Sequence, residues 1–78
     1  MRTEEQVLKD FEKLGLLHLY IVDGETPYKA LILEDEEGEE IRLILNNKEI
    51  KLSNFKSINF EELKLLTELF KIWGWLND

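Results

Sequence analysis

Seventy-eight residues without a single cysteine, at a net charge of −7, read as one small acidic α+β domain. The missing cysteines exclude disulfides, thiolate metal sites and thiol catalysis, and fit a reducing compartment such as the cytoplasm. The polar start Met1-Arg2-Thr3-Glu4 is unlike a secretory leader, and the longest apolar run, Leu16 to Val22, contains His18 and falls far short of the roughly 20 residues of a membrane span.

Thr3-Glu4-Glu5-Gln6 forms a capping box, and Val7, Leu8, Phe11 and Leu14 follow at helical spacing. With Gly15 as a left-handed stop, the first helix is predicted over residues 4–14. Leu16 to Val22 is β-rich and too short for a helix, so it reads as a strand. Asp23 to Pro27 is composed of turn residues. Tyr28 to Leu33, Ile41 to Leu45 and Lys48 to Leu52 are three further strands, the last two joined by a tight turn through Asn46 and Asn47, residues that tolerate positive φ. Asn59 and Glu62 cap a second helix, predicted from Phe60 to about Trp75.

The order is α-β-β-β-β-α, expected as an antiparallel meander of three to four strands with both helices packed on one face. The layout resembles that of double-stranded-RNA-binding domains. The resemblance ends at topology: where those domains begin the last helix with basic residues, this chain has Asn59, Phe60, Glu61 and Glu62.

Alternation along the strands divides the side chains between two faces. Leu17, Leu19, Ile21, Leu31, Leu33, Ile41, Leu43, Leu45, Ile50 and Leu52 are assigned to the helix side. His18, Tyr20, Tyr28, Ala30, Ile32, Arg42, Ile44 and Lys51 are assigned to the open side, an amphipathic surface suited to water or to a second copy of the chain. Trp75 falls opposite the apolar arc of the second helix. Either it is exposed as a binding anchor, or the helix stops near Gly74 and the indole turns back over the core.

Catalytic chemistry finds little to work with. His18 is remote in sequence from Ser53 and Ser57, and no strained nucleophile turn surrounds either serine. The acids crowd one turn, where water levels their pKa values, so no acid/base pair is expected. His18 lacks a histidine or cysteine companion for zinc, and Gly38 as the sixth residue of a calcium loop would make Leu33 the first ligand. Phosphate loops are absent, so neither a metal nor another cofactor is expected. His18 is read as a hydrogen-bonded residue of the sheet surface.

The charge is confined to one place. Residues 23–40 hold eight acidic groups and one basic group, a net of −7, while residues 1–22 net −1 and residues 41–78 net +1. The centre is Glu34-Asp35-Glu36-Glu37-Gly38-Glu39-Glu40, a hairpin turn with Gly38 in the left-handed region and Asp35 accepting from turn amides. Neither role requires the five glutamates to be acidic. Three uses compete: keeping the tip in water, docking on a basic protein surface, and imitating phosphates in a nucleic-acid site, as small acidic phage inhibitors of bacterial defence enzymes do.

The expected function is therefore a non-enzymatic protein-interaction module, most concretely a phage-type inhibitor or regulator. Its partner would be a protein with a basic surface, contacted through Glu34, Asp35, Glu36, Glu37, Glu39 and Glu40 with Tyr20, Tyr28 and Trp75 adjoining. Direct nucleic-acid binding is not expected without a basic footprint, and neither is membrane insertion. The alternative is a self-associating scaffold domain, a homodimer through the open sheet face.

Overall fold

The computed structural model describes residues 2–24, 28–54 and 57–76. Glu25, Thr26 and Pro27 of the first expected turn lie outside the described residues, as does the side chain of Tyr28. The elements run α1 (Glu4–Lys13), β1 (Leu17–Asp23), β2 (Tyr28–Glu34), β3 (Glu40–Ile44), β4 (Glu49–Ser53) and α2 (Phe60–Ile72). The four strands form one antiparallel sheet in the order β1-β2-β3-β4. The α+β meander expected from the sequence is the fold. Among the described residues, no helix is long and apolar enough to cross a membrane.

Both helices begin as their sequences dictate. The Thr3 hydroxyl accepts from the Gln6 amide at 3.3 Å, and the Gln6 side chain accepts from the Thr3 amide at 2.9 Å. Asn59 and Glu62 repeat the arrangement at 2.8 and 3.1 Å. Each box satisfies amides that the first helical turn leaves without intrahelical partners. The expectation that α2 runs to about Trp75 is corrected: it ends at Ile72. Gly74 turns into the left-handed region (φ 77°), and the Trp75 amide donates back to the Phe70 carbonyl at 2.7 Å. In the β3–β4 turn the positive φ falls on Lys48 (55°), not on either asparagine.

The core is one cluster. Val7, Leu8 and Phe11 of α1 and Leu65, Leu66 and Leu69 of α2 pack against Leu31, Leu33, Ile41 and Leu43 of the central strands. Both helices thus lie on the same side of the sheet. They run antiparallel, tied by Arg2, whose guanidinium holds Asp10 of α1 and Glu68 of α2. Its hydrogen bond keeps the Asp10 carboxyl below the usual carboxylate range.

One expectation about the sheet is reversed. Directly paired residues share a face, and β1 pairs Leu17 with Glu34, Leu19 with Ile32, Tyr20 with Leu31 and Ile21 with Ala30. Leu17, Leu19 and Ile21 therefore lie on the open face, and His18 and Tyr20 on the helix side. The cause sits one residue upstream. At the end of α1 the Leu16 amide donates to the Phe11 carbonyl at 3.0 Å, and the Leu16 side chain is buried in the core. From a core-facing residue 16, alternation sends 18 and 20 inward and 17, 19 and 21 outward. The open face is consequently more apolar than expected. Leu19 and Ile32 continue into Arg42, and Ile21 and Ala30 into Ile44, in rows across the first three strands.

Candidate interaction site

The β2–β3 hairpin is organised from within by Asp35. One of its carboxylate oxygens accepts from the Glu37 and Glu39 amides, both at 2.9 Å. The Asp35 amide donates to the Glu39 carbonyl at 3.0 Å, and Gly38 takes the left-handed conformation (φ 83°) that closes the turn. Burial by itself would raise the Asp35 carboxyl. The Glu39 amide and side chain, with the amides of Glu37 and Gly38, outweigh it and hold the group below its ordinary value. Asp35 is thus occupied as a structural acceptor.

The glutamates separate into two groups. Glu40 stands opposite Glu34 across the strands, and Arg42 draws Glu40 into contacts at 3.0 and 3.2 Å that relieve the opposition. Glu39 is also engaged. Glu34, Glu36 and Glu37 are exposed, and among the described residues no cation lies within ion-pair distance of them. They are the uncompensated charges of the tip.

The hairpin does not stand alone. Its base packs beside the end of α1 and the start of β1, where Glu12, Gly15, Leu17, Glu34, Asp35 and Glu36 line a shallow recess of about 200 Å³. Leu17 is 67% exposed there. An apolar side chain is thereby ringed by carboxylates from two elements. Sequence reasoning missed Leu17 and Glu12 as members of this site. Alternation alone assigned Leu17 to the helix side, and Glu12 joins only through the packing of α1. His18 stands nearby, on the helix side instead of the expected open surface. Its buried Nδ1 has no hydrogen-bond partner, and Glu12 lies 3.5 Å away.

Tyr20 and Trp75 belong to a different part of the molecule. Glu4, at the start of α1, accepts from the Tyr20 hydroxyl and, at 2.7 Å, from the Trp73 indole nitrogen. Trp75 turns back, half-buried, and stacks on Phe70 with ring centres 5.2 Å apart and an interplanar angle of 13°. Lys29 sits over the Tyr20 ring at 4.9 Å. This aromatic group lies at the first turn of α1 and the acidic recess at its last, so the ten-residue helix separates them by about 15 Å. The structure does not bring Tyr20 or Trp75 to the acids.

Burial first, and the Glu4 carboxylate second, push the Tyr20 hydroxyl well above its ordinary value. In the unfolded chain a tyrosine ionises near pH 10. A raised folded value means that the stabilisation is complete below pH 10 and is lost as pH rises beyond it. The stability gap between wild type and Tyr20→Phe is therefore expected to be widest near neutrality and to narrow above pH 10. Urea titrations of both proteins at several alkaline pH values measure it, and a constant gap would contradict it.

Elsewhere, an open groove of about 620 Å³ between the helices is lined by charges of both signs, among them Arg2, Lys13, Glu61 and Lys64. Among the described residues, no group of three or more histidine, aspartate or glutamate side chains is placed to hold a metal ion. No protein-family model matches the chain, and no curated protein or solved structure matches it.

Proposed function

We propose that the chain is a non-enzymatic interaction module that docks on a basic protein surface through the recess end of the acidic hairpin. The observation that carries this reading is Leu17, exposed and ringed by Glu12, Glu34 and Glu36. An apolar contact surrounded by charge is the arrangement of a recognition site, with burial at the centre and steering at the rim. Uncompensated carboxylates on a projecting turn suit a partner whose own surface evolved to hold phosphates. The most concrete form is a phage-type inhibitor or regulator that occupies a nucleic-acid site, working inside the cytoplasm.

Displacement supplies the test. The protein is titrated against basic nucleic-acid-binding domains loaded with a labelled oligonucleotide, at low and at high salt. Each rim charge contributes something under 1 kcal/mol, so replacing Glu34, Glu36 and Glu37 together by Gln is expected to weaken binding by about tenfold and to flatten its salt dependence. Leu17→Ala is expected to weaken binding without changing the salt slope. Equal affinity and equal salt slope in the triple variant would remove the acidic tip from the mechanism.

A second reading, self-association through the open sheet face, is favoured by the same reversal of β1. Leu17 and Leu19 stand exposed on that face with Ile21 half-buried, beside Ala30, Ile32 and Ile44, which are already buried and add no free surface. Sedimentation of the isolated protein beside Lys51→Glu, a charge reversal on the open face, tests it: a dimer lost in the variant supports it, and a wild-type monomer or a dimer kept in the variant removes it.

A further inference from the structure

The sheet has two edges, and they are built differently. Along β4, Glu49 and Lys51 place charge on the outermost strand, one of the usual guards against edge-to-edge pairing. Along β1 the run Leu17-His18-Leu19-Tyr20-Ile21-Val22 holds no lysine, arginine, aspartate, glutamate or proline. Only Asp23, at the end of the strand, is charged in a chain of net charge −7, so two copies can meet along Leu17 to Val22 without opposing like charges.

The backbone groups offered by β1 follow from the ladder. The Leu45 amide donates to the Lys29 carbonyl, and the Asp35 amide to the Glu39 carbonyl, so the odd-numbered residues of β2 bond toward β3. The even-numbered residues of β2 then bond toward β1, where Ala30, Ile32 and Glu34 meet Ile21, Leu19 and Leu17. The N–H and C=O groups of His18, Tyr20 and Val22 are left pointing away from the sheet. Among the described residues, no backbone group outside the sheet takes them up.

We propose that the chain forms a two-fold dimer by antiparallel pairing of β1 with β1 of a second copy, centred on Tyr20. Residues whose numbers sum to 40 then stand opposite each other. Tyr20 faces Tyr20 of the second copy, and His18 faces Val22 of the second copy, each pair exchanging both backbone bonds. On the open face Leu19 meets Ile21 of the second copy, so the apolar rows of the two sheets become continuous. An antiparallel strand edge is complementary to itself under a two-fold axis, as an isologous interface requires. This pairing uses the edge of the strand: it sets Leu17 opposite Asp23 of the second copy at each end of the interface, and leaves the outward Glu34, Glu36 and Glu37 unpaired. It stands apart from the proposed function.

The test is sedimentation combined with amide exchange on the full chain. The wild-type mass is expected to double with rising concentration, with the His18, Tyr20 and Val22 amides becoming protected over the same range. Val22→Pro removes an outward N–H that the folded monomer does not use, and Val22→Lys adds an edge guard while keeping every backbone bond. Both are expected to stay folded and monomeric. Lys51→Glu, on the open face and remote from β1, is expected to dimerise as wild type does. If Val22→Pro fails to fold, Val22→Lys alone decides. A wild type that stays monomeric at millimolar concentration overturns the proposal. So does a dimer that survives Val22→Lys, or one lost in Lys51→Glu, which would indicate stacking of the open faces.

Discussion

Replacing Glu4 by Ala is expected to lower the unfolding free energy by about 3 kcal/mol. Two donors converge on this carboxylate, the Tyr20 hydroxyl from β1 and the Trp73 indole from the end of α2. Hydrogen bonds to a charged group each contribute about 1.5–3 kcal/mol, and the cost rises when a part-buried donor is left without an acceptor. Three elements meet at Glu4, so the loss is expected in their mutual docking and not in the helix alone. A domain of this size has only about 4–12 kcal/mol in total. Glu4→Gln keeps an oxygen acceptor without the charge and is expected to lose roughly half as much. Urea unfolding measures both: the midpoint should fall at an unchanged slope. A midpoint for Glu4→Ala within error of wild type would show that the two hydrogen bonds hold nothing together.

Phe11→Ala is expected to be costlier still, at about 3–5 kcal/mol. The ring is fully buried in the cluster that joins both helices to the central strands. Truncation removes its transfer free energy and leaves a cavity that β2 and β3 cannot relax to fill, since Leu31, Leu33, Ile41 and Leu43 are themselves completely enclosed. Position 11 also governs the chain beyond it, because its carbonyl receives the Leu14 and Leu16 amides that end α1 and set the parity of β1. Phe11→Leu should cost under about 1.5 kcal/mol, separating volume from backbone. Calorimetry or urea unfolding of both variants decides the matter. Near-native stability in Phe11→Ala would mean that the helices are not held by this cluster. Combining Phe11→Ala with Glu4→Ala should remove about 6–8 kcal/mol, half or more of what a domain of this size holds.

Most of the fold is legible locally. Thr3-x-x-Gln6 and Asn59-x-x-Glu62 fix where the helices begin, since the residues that satisfy the free amides lie within one turn of them. Gly38 and Asp35 fix the acidic hairpin for the same reason. The face of β1 was not legible. A strand of alternating and mixed apolar residues fits either face, and only the seating of Leu16 beneath α1 chooses between them. That single choice moved Leu17 into the acidic recess, Tyr20 into contact with Glu4, and Leu19 and Ile21 onto the open face.

The sequence by itself determined the order of elements, their capping and the confinement of the excess charge to residues 23–40. These are short-range properties, written in residues that touch their neighbours along the chain. The tertiary structure decided which acids are spent internally, with Asp35 on its own turn and Glu40 on Arg42, and which remain outward as Glu34, Glu36 and Glu37. It also separated the aromatic group from the acidic tip by the length of α1, and left β1, uncharged from Leu17 to Val22, as an edge of the sheet. Those outcomes depend on strand register and helix docking, in which each contact joins residues distant in sequence and no local pattern specifies the partner.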